Sequence, residues 1–186
     1  MKAKIYTLGT SNRSAEEFLE ILKEYRIQIV IDVRRWPTSK YFFHFKKENL
    51  EKILEENNIE YFHFENLGGY REGGYQAYTK TKEFKEGLKE LIKIAKSKNI
   101  ALICAEKLPW KCHRAYISRA LEKKGVEVIH IIDKEKTWQP KKEPKEIKPT
   151  CQKKNKYSQI LKTTTRPPPS QASLGPHIGM LWRFNI

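Results

Sequence analysis

Residues 100–125 read IALICAEKLPWKCHRAYISRALEKKG. Ile100 to Cys104 is an unbroken apolar run of strand length, with no alternation of polar residues. Such a strand is buried on both faces of a sheet. His113 to Lys124 follows helical spacing, and Gly125 suits the residue just past a helix end. A buried strand, a polar loop and a helix in this order form one half of a parallel βαβ unit. The rest of the chain repeats the pattern.

Upstream, Lys4 to Leu8 is a short strand ended by Gly9. Ser14 is placed as an N-cap, with Glu16 and Glu17 in the first turn and Phe18, Leu19, Ile21, Leu22 and Tyr25 at helical spacing. Ile27 to Val33 is nearly continuous Ile and Val. Glu48 to Asn58 and Thr81 to Lys98 carry helical apolar stripes. Ile59 to Phe64 and Val126 to Ile132 complete the strands. The order β-α-β-α-β-α-β-α-β predicts an α/β domain of three layers. Its mostly parallel central sheet has about five strands, with helices on both faces. The strand C-terminal ends share one edge, where ligands bind in such sheets.

Charge divides the chain. The net charge is +15 over 186 residues, yet residues 134–186 hold 12 Lys+Arg against 3 Asp+Glu. That segment is rich in Lys and Pro, then in Pro, Ser and Thr, and reads as a disordered basic tail with Trp138 able to dock back. Residues 1–133 form the domain, with a moderate net charge of +6. The tail could tether a polyanion, so nucleic acid is a possible partner through it. A solvated tail without a fixed partner and a frameshifted extension are the other readings. No apolar run has the length of a membrane span, and mean hydropathy is −0.72. Three cysteines make no disulfide framework, and no signal peptide is recognisable, so a cytoplasmic location is expected. Oligomeric state is left open.

The candidate chemistry lies in the loops at the predicted edge. Asp32 sits inside an Ile/Val strand, where a carboxylate must be paired or hydrogen-bonded. Arg34 and Arg35 follow it and suit an anion. In the loop of residues 104–114, Cys112 stands at a helix start between Lys111 and Arg114. Orphan amides and positive charge there favour a thiolate. His113 is the proton-transfer candidate, and Glu106 an orienting or acid/base group. Cys104 reads as a small core residue. The expected catalytic set is Cys112, His113, Glu106 and Asp32. The expected anion-binding set is Arg34, Arg35, Arg114, Ser11, Arg13, Gly68, Gly69 and Arg71. No metal and no cofactor are expected, because Cys104, Cys112 and His113 supply at most three ligands in an unfamiliar spacing. Lys40 to Lys47 mixes aromatics with basic residues, and burial of Phe42, Phe43 or Phe45 under a loop is expected there.

Several strings resemble the domain of unknown function 488 (DUF 488) family. They are YTLGTSNRSAEEFLEIL (6–22), IVIDVRRWPTS (29–39), LGG (67–69), ICAE (103–106) and CHR (112–114). Thr10 departs from the pattern, since many members carry His there. The resemblance implies a compact α/β domain and no settled activity. A fainter similarity to rhodanese-like domains rests on the I-D-V-R string and on the strand leading into a cysteine loop. The two function classes are an enzyme acting on a small anionic substrate, phosphate-bearing or sulfur-containing, and a nucleotide- or nucleic-acid-binding module without catalysis.

Overall fold

The computed structural model describes residues 3–140. Five strands, β1 (Lys4–Gly9), β2 (Ile29–Asp32), β3 (Glu60–His63), β4 (Ile100–Cys104) and β5 (Glu127–Asp133), pair in parallel. A sixth, β6 (Lys136–Trp138), adds antiparallel to β5, so the order is β3-β2-β4-β1-β5-β6. This strand lies in the stretch assigned to the tail, so the fold extends beyond residue 133. Lysine-rich composition hid it. A three-residue exposed hairpin arm has no apolar face, and only Trp138 carries a signal, its ring 5.3 Å from that of His130. The remainder of the expected tail, from 141 onward, lies outside the described residues.

Helices α1 (Ala15–Glu24) and α2 (Lys47–Glu56) cover one face of the sheet. The Ser14 side chain accepts from the Glu17 amide at 3.1 Å and starts α1. Phe18, Ile21, Leu22, Leu50 and Leu54 pack there on Leu8, Val30, Ala101 and Ile103. After the short helix α3 (Tyr75–Tyr78), α4 (Lys82–Ala95) and α5 (Arg114–Lys123) cover the other face. Phe84, Leu88, Leu91, Ile117 and Leu121 meet Ile5, Ile31, Ile100, Leu102 and Val128. The period of two along β4 therefore sends Ala101 and Ile103 to one layer and Ile100, Leu102 and Cys104 to the other. β3 is an edge strand of alternating exposure rather than a buried one. None of the described helices is long and apolar enough to cross a membrane.

This topology positions the site. β1 and β4 are neighbours, but β1 leads to α1 on one face and β4 to α5 on the other. Their exit loops diverge and leave a crevice, the switch point at which open α/β sheets bind ligands. The Thr10 amide donates to the Cys104 carbonyl at 2.8 Å and the Ser11 amide to the Ala105 carbonyl at 2.9 Å, extending the ladder into the loops. Gly9 is required at this approach, because a Cβ there would lie 2.3 Å from the Glu106 carbonyl oxygen.

The second buried feature of this edge is an ion pair. Asp32 is fully buried and accepts from the Arg34 side chain at 2.5 and 2.9 Å, from the Arg34 amide and from the Tyr61 hydroxyl. Arg34 also donates to the Phe45 carbonyl at 2.7 Å, which ties β2 to the segment before α2. Replacing Asp32 with Ala leaves the Arg34 charge buried and uncompensated. Urea unfolding of Asp32→Ala is expected to show a loss of about 3–5 kcal/mol, and a loss under about 1 kcal/mol would mean that the pair is not structural.

Candidate functional site

A cavity of about 420 Å³ opens at the crevice. Thr10 and Ser11 line it from the β1 loop, and Arg34, Arg35 and Trp36 from the β2 exit. Gly69 and Tyr70 come from the loop after β3, and Cys104 and His113 from the β4 loop. Thr38, Ser39, Phe42 and Phe45 complete the wall. Two lining residues, Ser11 and Tyr70, hold positive φ angles of 49° and 54° without being glycine. Such backbone strain gathers at functional sites.

Two of the lining residues, Cys104 and His113, form a cluster with Cys112, which lies outside the lining; the three donor atoms all lie within 4.8 Å of one another. His113 Nε2 is 2.8 Å from the Val33 carbonyl oxygen. A carbonyl can only accept, so Nε2 carries the hydrogen and Nδ1 of the neutral ring is bare. Nδ1 faces both sulfurs, at 3.5 Å from Cys112 and 3.8 Å from Cys104. Gly69 allows the ring to sit there, since a Cβ on Gly69 would be 2.8 Å from Nδ1.

Arg114 begins α5 and is wholly buried. Its guanidinium donates to the Glu106 and Lys107 carbonyls, to the Thr7 hydroxyl at 3.3 Å and, through Nε, to the Cys112 sulfur at 3.5 Å. Among the described residues no carboxylate pairs with it. A buried cation requires a counter-charge, and the Cys112 sulfur is the one partner able to become an anion. The two thiols divide accordingly. The Cys112 thiol is held well below the ordinary cysteine range by the hydrogen bond from Cys104, with the Arg114 charge adding to it against burial. The Cys104 thiol is pushed up by the same hydrogen bond and by its own burial.

Behind Arg114 the network continues. Thr7 accepts from Arg114 and lies 2.7 Å from His130 Nδ1. Burial, then the Arg114 charge, lowers the His130 pKa to about 4.

The structure separates the residues that the sequence grouped together. Ser11, Arg34, Arg35, Gly69 and His113 line the cavity, but Asp32, Arg13, Gly68, Arg71, Glu106, Cys112 and Arg114 are not among its lining residues. Arg13 is buried, donating to the Gly9 and Ile132 carbonyls, and fastens loops together. Arg71 donates to the Gly68 and Glu65 carbonyls and lies over the Tyr78 ring. Glu106 is exposed, and its carboxylate accepts from the Leu108 amide. Arg35 pairs with Glu65 at 3.0 Å while keeping a side on the cavity. Cys104, read as a core residue, does pack in the core but also presents its thiol to the cluster. Trp36 and Tyr70 at the cavity mouth carried no individual signal, and their rings lie 5.4 Å apart at 62% and 79% exposure. Of the aromatics before α2, Phe45 is buried against Phe18 and Phe43 is exposed under Lys46.

The family model for the domain of unknown function DUF488 matches residues 14–121, and the chain belongs to that family. No curated protein matches the chain.

The network behind the site gives a pH signature. A folded-state pKa near 4 against 6.5 in the unfolded chain means that the unfolded state takes up the proton first. His130 therefore contributes stability that is complete above pH 6.5 and lost as pH falls toward 4. The slope in that window approaches about 1.4 kcal/mol per pH unit. In His130→Gln this contribution to the slope should vanish in urea-unfolding free energies measured between pH 4 and 7. An unchanged slope would show that His130 titrates alike in both states.

Proposed function

We propose that the protein is an enzyme acting on a small anionic substrate, phosphate-bearing or sulfur-containing, held at the strand C-terminal edge. The cluster of Cys112, His113 and Arg114, joined by Cys104, is its reactive centre. One observation carries this reading: a buried guanidinium without a carboxylate partner donates to the Cys112 sulfur beside a cavity of substrate size, and so favours a thiolate there. A protein that only clamps an anion gains nothing from two thiols and an imidazole at the same point. Arg114 supplies charge from behind the sulfur. Arg35, with Arg34 deeper in the wall, meets the substrate's negative group. His113, fixed by the Val33 carbonyl, is placed to hold or move a proton at Nδ1. Asp32 and Glu106 have no part in the chemistry on this reading. Asp32 holds Arg34 in place, and Glu106 caps its own loop.

The aromatic pair at the mouth favours a second reading, a nucleotide-binding module. Trp36 and Tyr70 offer faces on which a base can stack, above an arginine-lined floor. The lysine-rich segment beyond residue 140 would then add salt-dependent affinity for longer nucleic acids.

One set of titrations tests both. Phosphate, sulfate, thiosulfate, ribose 5-phosphate and nucleoside monophosphates are titrated calorimetrically into the reduced full chain. Their protection of Cys104 and Cys112 against alkylation is followed in parallel. On the enzyme reading at least one small oxyanion binds, slows alkylation and loses about tenfold in affinity in Arg35→Ala. If only nucleotides bind and Trp36→Ala abolishes it, the second reading replaces the first. Binding by none of them contradicts both.

A further inference from the structure

Two sulfurs and a bare imidazole nitrogen are electron-rich atoms, and here they converge within 4.8 Å of one another. Of these three donors Arg114 hydrogen-bonds only Cys112, through Nε at 3.5 Å. A cation accepted by all three would relieve the crowding of lone pairs. The spacing is that of ligands on one small ion. A tetrahedral zinc with Zn–S of about 2.3 Å and Zn–N of about 2.05 Å sets its sulfur and nitrogen ligands about 3.6 Å apart. The observed separations to His113 Nδ1 are 3.5 and 3.8 Å.

The surroundings agree with the spacing. Metal-ligating histidines donate their other ring N–H to a carbonyl or carboxylate, which fixes the tautomer and aims the ligating nitrogen. The Val33 carbonyl does this for His113. The donor set is soft, two thiols and an imidazole, and suits zinc over calcium or magnesium. The set also stops at three. Among the described residues no fourth Cys, His, Asp or Glu joins the cluster. Cys104 and His113 line the cavity, so the fourth position would face it. Three protein ligands and one open position are the pattern of a catalytic rather than a structural site.

We infer that Cys104, Cys112 and His113 bind one zinc-class divalent ion whose open fourth position faces the cavity between Ser11, Arg34 and Tyr70. The inference rests on the enzyme reading for what occupies that position. Two thiolates cancel the charge of the ion and leave the Arg114 charge over. An anionic fourth ligand, hydroxide or the substrate's own anionic group, completes neutrality. An anion-binding cavity and a buried arginine then follow from the same charge balance. The expectation of no metal weighed a sequence spacing, C-x7-C-H, that lies outside familiar patterns. The spacing matters less than the fold, because a loop from Ala105 to Lys111 brings the two cysteines back together.

Cobalt is the probe. The reduced full chain is stripped with a chelator and titrated with Co²⁺ alone, and far-ultraviolet circular dichroism checks the fold of every variant. The inference predicts one equivalent bound, an intense near-ultraviolet sulfur-to-cobalt charge-transfer band and the visible bands of tetrahedral cobalt. Zinc added afterwards should displace it. Cys104→Ser and Cys112→Ser should each weaken the charge-transfer band. His113→Gln, which keeps both sulfurs, should weaken binding at least about tenfold. Cys151→Ser should leave the spectrum unchanged. No charge-transfer band in the folded protein, or a band lost only in Cys151→Ser, overturns the inference. Adding the oxyanions above separates the two claims. A cobalt spectrum that forms normally and is untouched by every anion keeps the metal and removes the anionic substrate from it. Anion binding that needs Arg35 but proceeds without any cobalt spectrum does the reverse.

Discussion

A guanidinium with no exposure to water organises the site. Arg114 must satisfy five N–H donors and one positive charge inside the protein. Backbone carbonyls of Glu106 and Lys107 and the Thr7 hydroxyl take most of the donors. None of them takes the charge. That requirement falls on Cys112, and through Cys112 on the whole loop between β4 and α5. The same arginine folds this loop back by gripping its carbonyls, brings the second cysteine to the first, and adds to the burial that keeps His130 neutral behind. Removing its charge would loosen the loop and the electrostatics together.

A second buried arginine builds the opposite wall in the same way. Arg34 is neutralised by Asp32 in the usual manner, with a carboxylate, and its remaining donors reach the Phe45 carbonyl. The contrast between the two is informative. Arg34–Asp32 is a closed pair that fastens β2 to the segment before α2. Arg114–Cys112 pairs a cation with an atom that is itself a nucleophile and a metal ligand. Evolution of a purely structural edge would not require the second kind.

Much of the architecture is legible in the residues. Apolar runs at 29–31 and 100–104 could only be strands covered on both sides, and the helical stripes supplied the covers. The edge at which the loops gather followed from parallel order alone. The short strand at 136–138 was illegible because three exposed residues in a lysine-rich stretch carry no period. Within the site, the types of residue were legible and their roles less so. Arginines near strand ends all read as anion ligands, since burial cannot be read from a charge. Only the fold reveals that Arg13 and Arg114 are enclosed and that Arg35 is partly open. Cys104 was legible as an inward-facing strand residue. That inward at this position means toward His113 depends on Gly69 leaving room for the ring, a contact between loops far apart in the chain.

The central claim is that Cys112 is the counter-charge of buried Arg114, and a double-mutant cycle on stability addresses it most directly. Urea unfolding of the metal-free, reduced protein is compared with Cys112→Ala, Arg114→Met and the double variant. If the pair is ionic, Cys112→Ala alone strands a buried cation and costs about 3–5 kcal/mol. The double variant then loses less than the sum of the singles by roughly 2 kcal/mol. Single losses that add to within about 0.5 kcal/mol would contradict the pairing, and with it the thiolate on which this site is built.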